Sequence, residues 1–294
     1  MHMYMRAIGF SNLVSRSELN KLLAFIIHDP DDRSYISMDG TDIMLAQYSK
    51  DFAENVGIAV RGEYNEDNEF AFDYYFPYVT GTQISSYEDI SIERHAEKES
   101  YAGVCDDVKV GVSLIFYLQN MISYLKIRNA GRLPIRGTSL VLSALSIDGT
   151  ILLPVEKKEA DRKKQRTANV NRGRLIAAAR NGDEAAIESL TLEDIDTYAN
   201  ISRKILKQDI FTLVDTYFMP YGVECDQYSI LGEIVSYQYV ENKMTGEILC
   251  QLTVSCNDLY FDICMNRNDL IGQPEVGRRF KGVIWMQGHI NFPE

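Results

Sequence analysis

Arg278, Arg279 and Lys281 run into Trp285 and His289 near the end of the chain, and that grouping has a definite chemical use. Cationic side chains hold phosphates while an indole stacks on a base, the combination that binds single-stranded nucleic acid. On a strand, Lys281, Val283, Trp285, Gln287, His289 and Asn291 share one face. The competing reading is packing: a lone tryptophan ordinarily sits in the interior, and the surrounding segment is acidic. A second cationic element is residues 156–180, with Lys163, Lys164 and Arg166 at its centre. It carries nine basic and three acidic groups in a chain of net charge −12. Phosphate backbones are repelled by the rest, so this stretch would have to anchor any nucleic acid. Otherwise it is a solvated connector, or an arm for an anionic partner or the chain's own acidic surface.

Other reactive groupings are weaker. His28-Asp29-Pro30-Asp31-Asp32 gathers an imidazole and three carboxylates, but lacks the spaced oxygens and turn glycine of a calcium loop. Zinc ligation by Cys250, Cys256, Cys264 and His289 fails on spacing. Two strand residues six apart are ~20 Å apart, so these cysteines read as buried thiols. Cys105 sits beside Asp106 and Asp107, which disfavour a thiolate. No phosphate-cradling glycine motif and no nucleophile elbow occurs. Neither a metal nor a cofactor is expected. An enzyme would need carboxylates meeting only in the fold, with Asp194, Asp196, Asp215 and Glu224 as the hydrolase or transferase candidates. The leading expectation is a non-enzymatic interaction or regulatory module with a protein partner.

Composition sets the frame for these groups. A hydrophobic share of 46% and an aromatic share of 11% over 294 residues support packed domains. No apolar run is long enough to span a membrane, and the start is unlike a signal peptide. Five widely spaced cysteines fit a reducing compartment, so cytoplasmic location is the expectation.

The elements expected to hold the groups alternate in type. Tyr4–Phe10 reads as a strand. Ser15 and Glu18 form a capping box ahead of Leu19, Leu22, Leu23 and Ile26 at helical spacing. Strands follow at Tyr35–Met38, Ile43–Tyr48, Val56–Tyr64, Phe70–Thr80 and Ile90–Glu97. Val110–Gln119 is a strand or the start of a helix. Thr138–Leu145 and Thr150–Val155 read as a hairpin turning at Asp148-Gly149. In the fourth of these, Phe70, Phe72, Tyr74, Phe76 and Tyr78 share one side, either a buried sheet face or an aromatic contact patch. Helical patterns occupy residues 175–206, with Asp183 as a cap. Leu231–Val240, Gly246–Cys256, Leu259–Met265 and Phe280–Phe292 then read as strands of a small barrel or rolled sheet, OB-like in size. The fold class is α+β. An N-terminal antiparallel sheet with one or two helices fills 1–155, a basic and helical connector 156–224, and the small barrel 225–294.

Arg6-Ala7-Ile8-Gly9-Phe10, Ser189-Leu190-Thr191-Leu192-Glu193-Asp194, Asp215 to Gly222, Glu224 to Tyr228 and Gly277 to Gly288 carry a resemblance. They are similar to a family of uncharacterised proteins from anaerobic Gram-positive bacteria, catalogued as a domain of unknown function. The resemblance implies a bacterial cytoplasmic protein and transfers no catalytic or binding residue.

Overall fold

A computed structural model describes residues 1–37, 43–65, 67–94, 101–107, 113–132, 137–155, 171–179, 181–193, 214–223 and 225–293. The first helix forms where its box predicts. In α1 (Arg16–His28) the Glu18 amide donates to Ser15 Oγ at 3.1 Å, and the Ser15 amide donates back to the Glu18 carboxylate at 3.3 Å. Its buried stripe is Leu19, Leu22, Leu23 and Ile26. The preceding segment differs from expectation. Met3–Ile8 is a 3-10 helix ended by Gly9 at φ 87°, with Tyr4, Met5, Ala7 and Ile8 all buried. Neighbouring pairs go inward together, which a strand cannot do.

Four strands follow as one antiparallel sheet in chain order: β1 (Asp32–Ser37), β2 (Met44–Ala53), β3 (Val56–Tyr64) and β4 (Phe70–Val79). A tight turn with Asn55 at φ 59° joins β2 to β3. Next come β5 (Ile90–Arg94), β6 (Tyr101–Cys105), β7 (Leu114–Leu118), the helix α2 (Met121–Asn129) and β8 (Ser139–Leu152). Residues 171–179 and 184–193 are helical, and Asp183 caps the second by accepting from the Ala185 and Ala186 amides. The remaining strands are β9 (Tyr217–Pro220), β10 (Gln227–Glu241), β11 (Ile248–Cys256), β12 (Leu259–Asn266), β13 (Leu270–Ile271) and β14 (Arg279–Asn291).

The strands β8, β12, β11, β10 and β14 pair in that circular order and close a five-strand barrel. Its fifth strand comes from before the basic connector. The sheet therefore crosses both limits, 155 and 225, that composition suggested for separate bodies. The hairpin expected at Asp148-Gly149 is one continuous strand, because β8 pairs with β14 from Ser139↔Asn291 to Leu152↔Arg279. Gly149 there faces Gly282, and a Cβ on Gly149 would fall 2.4 Å from the Phe280 ring. The glycine admits a core aromatic where the strand bends, a use of strand glycine distinct from turning. Beyond the barrel, β14 also pairs in parallel with β7, which carries β6 and β5.

Two apolar clusters result. One fills the barrel and the space under β6, β7 and α2, with Phe116, Ile230, Phe261, Phe280 and Ile284 fully buried. The other lies between the four-stranded sheet, α1, the 3-10 helix and the barrel's outer wall, where Leu145, Leu249, Cys264 and Trp285 join it.

Phe116 is the tightest point of the first cluster. A Cβ on Gly103 would sit 2.1 Å from its Cζ, and one on Gly288 2.3 Å from its Cδ2. Gly288→Ala is expected to cost about 1–3 kcal/mol from overpacking. Adding Phe116→Leu should recover part of that loss, so the double mutant is less destabilised than the sum of the singles. Urea denaturation of the four proteins checks this, and strict additivity would contradict it.

Candidate ligand-binding site

Strand β3 reads Val-Gly-Ile-Ala-Val-Arg-Gly-Glu-Tyr, and its first seven residues are buried. Arg61 is among them at 2% exposure. A guanidinium there needs acceptors for its five N–H groups. Nε donates to Gln47 Oε1 at 2.6 Å. Nη1 donates to the Tyr74 hydroxyl at 2.5 Å and the Tyr117 hydroxyl at 3.2 Å, with Met121 Sδ at 3.7 Å. Nη2 donates to the carbonyls of Gln119 at 2.7 Å and Leu118 at 3.4 Å. Its carbon centre lies 4.7 Å from the Phe76 ring centroid. Among the described residues every hydrogen-bond partner is neutral.

Burial opposes the charge, yet the fields of Tyr117 and Tyr74, the Tyr74 bond and the Asp73 carboxylate outweigh it and raise the Arg61 pKa. Burial likewise holds the Tyr117 phenol well above its ordinary range, against the pull of Arg61. The pair is thus a cation among neutral phenols. Its carbonyl acceptors are fixed in turn, since Gln119 Nε2 donates to Val79 O at 3.0 Å and Gln287 Oε1 at 2.8 Å. Arg61 therefore joins the four-stranded sheet to the β7–α2 junction and, through it, to the barrel.

The β3–β4 register slips beside this residue. Arg61 faces Tyr74 and Gly62 faces Phe72, leaving Asp73 as a bulged residue. Bulges re-aim side chains at sites. Here the slip puts Tyr74, Phe76 and Tyr78 on the Arg61 face while Phe70 and Phe72 pair onto the opposite one. The aromatic row expected on one side of β4 is split in two for that reason. Gly62 is required as well, because its Cβ would lie 2.2 Å from Ala71 O. A cavity of about 300 Å³ opens next to the bulge, with Arg61, Tyr74, Leu45 and Met121 in its wall and the exposed carboxylates Glu63 and Asp73 beside it.

Phe72 and Tyr74 of the aromatic row line this cavity, whereas the described cationic and indole side chains of the last strand lie apart from it and largely from each other. Trp285 is 6% exposed, stacks on Tyr4 at 5.3 Å and donates from Nε1 to Asp226 at 2.7 Å. Arg279 is buried, donating to Leu153 O at 3.0 Å and Val214 O at 2.8 Å, and burial lowers its pKa. Arg278 bonds to Gln273 O at 3.0 Å and pairs with Glu275 at 2.8 Å. Lys281 and His289 are half-buried, and burial lowers the His289 pKa. β14 lies between β8 and β10 beneath the 3-10 helix, so its indole goes inward. Lys163, Lys164 and Arg166 lie outside the described residues, as do Asp194, Asp196 and Glu224; of the four acids only Asp215 is described.

The acids after α1 hold Lys50, whose ammonium lies 3.0 Å from Asp29 and 3.3 Å from Asp31. Cys250 and Cys256 belong to the first apolar cluster and Cys264 to the second. Among the described residues no group of His, Cys, Asp or Glu is arranged to hold a metal ion. Arg61 itself is unmarked by any motif, although one signal is present: a single charge directly after the apolar run Val56–Val60, followed by glycine.

Residues 5–288 match the family model described as "Domain of unknown function, E. rectale Gene description (DUF3881)", and the chain belongs to that family. No curated protein and no solved structure matches it.

Two outcomes are expected. Arg61→Met strands two buried carbonyls and the Gln47 amide, and should lower the unfolding free energy by about 2–5 kcal/mol in chemical denaturation. Burial pushes the thiols of Cys105 up to about 11 and of Cys250 and Cys256 up to about 12. Above the unfolded thiol value near ~8.5 the unfolded chain loses protons that the folded chain keeps, so stability falls as pH rises. The melting temperature should decline from about pH 9 towards pH 12 and be insensitive to these groups below it; a flat alkaline profile would contradict this.

Proposed function

We propose that this family member is a non-enzymatic binding or regulatory module whose small-molecule site is the cavity beside Arg61. One observation carries the reading: a buried guanidinium, hydrogen-bonded only to neutral groups, borders a cavity flanked by two exposed carboxylates. Neutral acceptors satisfy the donors without cancelling the charge, and the low local dielectric lets that charge act across the cavity. A negative group is favoured next to Arg61 and a positive one next to Glu63 and Asp73. The ligand is a zwitterion, and about 300 Å³ suits one of amino-acid size. Leu45 and Met121 offer apolar wall to its side chain.

Calorimetry and thermal-shift titration with a panel of free amino acids, their amides and their deaminated analogues test this. Zwitterions should bind saturably and be recovered unchanged. Analogues lacking either charge should bind at least roughly tenfold more weakly, as expected for a desolvated charge contact. Asp73→Asn, at an exposed position, should weaken binding with the fold intact. Turnover of a bound compound would count against the non-enzymatic reading, and indifference to both charges would remove the site.

A further inference from the structure

A second cavity, about 360 Å³, lies at the seam where the four-stranded sheet meets the barrel wall. The turn at Glu54-Asn55 and the segment Thr80–Thr82 form one side, and β10, β11 and β12 the other. At its base is Asp262, 6% exposed. Asp262 Oδ2 accepts from the Thr82 amide at 2.6 Å and the Thr82 hydroxyl at 2.7 Å, and Oδ1 accepts from the Thr253 hydroxyl at 2.6 Å. A hydroxyl that has given its only proton to a carboxylate can only accept from anything else. Thr82 and Thr253 are therefore held as acceptors, strengthened by the anion behind them.

Next to them an amide relay is fixed in direction. Gln238 Nε2 donates to Gln251 Oε1 at 2.6 Å, and Gln251 Nε2 donates to Glu54 O at 2.6 Å. Ser236 pairs with Thr253 and Gln238 with Gln251, so these side chains share the cleft face, while Tyr237, paired with Leu252, turns its ring to the other side of β10. Among the described residues no lysine or arginine lines the cleft, while the carboxylates of Glu54 and Asp262 do. Oriented hydroxyl acceptors, fixed amides and a negative potential favour a ligand rich in O–H donors and free of anionic groups.

We infer that this seam cleft binds a neutral sugar, with ring hydroxyls donating to Thr82 and Thr253 beside the Gln238 amide. Such hydroxyls replace water in the cleft with little loss of hydrogen bonding, and a phosphate or carboxylate is repelled. The inference stands on residues separate from the Arg61 cavity.

Saturation-transfer NMR and calorimetry on the full chain test it with glucose, galactose, mannose and N-acetylglucosamine, with maltotriose and cellotriose, and with glucose 6-phosphate. At least one neutral sugar should bind saturably, and glucose 6-phosphate at least roughly tenfold more weakly. Tighter binding of a trisaccharide than of its monomer assigns the site to a glycan end; equal binding assigns it to the free sugar. Gln238→Ala, at an exposed position on the cleft face, should lower affinity roughly five- to tenfold without shifting the melting temperature, and Tyr237→Ala, on the other face of β10, should leave it unchanged. Asp73→Asn should leave sugar binding unchanged, which separates this site from the first. Silence from every neutral sugar, equal binding of the phosphate, or full affinity in Gln238→Ala overturns the inference.

Discussion

Pairing of β8 with β14 is the constraint on which the rest of the molecule depends. It joins residues 139–152 to residues 279–291 along almost the whole length of both strands. Without it the barrel has two open edges, its apolar interior faces water, and the wall that supports Trp285, Leu145 and Cys264 loses its shape. Glycines make the closure sterically feasible. Gly149 and Gly282 let the Phe280 ring lie across the bend, and Gly103 and Gly288 do the same for Phe116. Side chains at those four positions would meet rings in a core that is already filled, and close packing leaves no slack to absorb them.

The Arg61 contact shows how a charge can hold two layers together and still be costly. Removing a guanidinium from water carries a penalty of several kcal/mol even after relaxation. Six neutral contacts and an aromatic surround offset it, and the Asp73 carboxylate acts from the rim. Once the layers are built around it, removing the guanidinium alone leaves its buried carbonyl acceptors without donors, and that loss is large. The Asp262 carboxylate is the mirror case: buried, bonded to neutral donors and placed at the other junction between sheet and barrel. Each is a buried charge oriented by neutral groups beside a cavity, and the two proposals about ligands grow from that shared arrangement.

Local signals survived folding best. The Ser15–Glu18 box, the limits of β3 and the four late strands were legible because each depends on neighbours in sequence. The same holds for Asp183, a cap in both readings. What sequence concealed was set by distant partners. Asp148-Gly149 has turn chemistry, yet twelve residue pairs with β14 keep it extended. The bulge at Asp73 reversed half of an aromatic row, an event no periodicity shows. Tyr4–Phe10 alternates like a strand, yet Met3–Ile8 takes a tighter helix, with Asn242 bonding to Ile8 O at 2.7 Å and Thr245 to Gly9 O at 2.7 Å. Trp285 and Arg279 read as surface chemistry because what covers them, Tyr4 of the 3-10 helix and the carbonyls of Leu153 and Val214, is remote in sequence.

That same strand pair orders events on the ribosome. Residue 152 emerges well before residue 279, and at ~5–20 residues per second the interval is roughly 6–25 s. Throughout it, β8 is a finished apolar edge with no mate for most of its length, the kind of surface that templates aggregation. Early release, or a nonsense codon upstream of β14, would leave that edge permanently bare, so nascent-chain chaperones and proteases should recognise this region first.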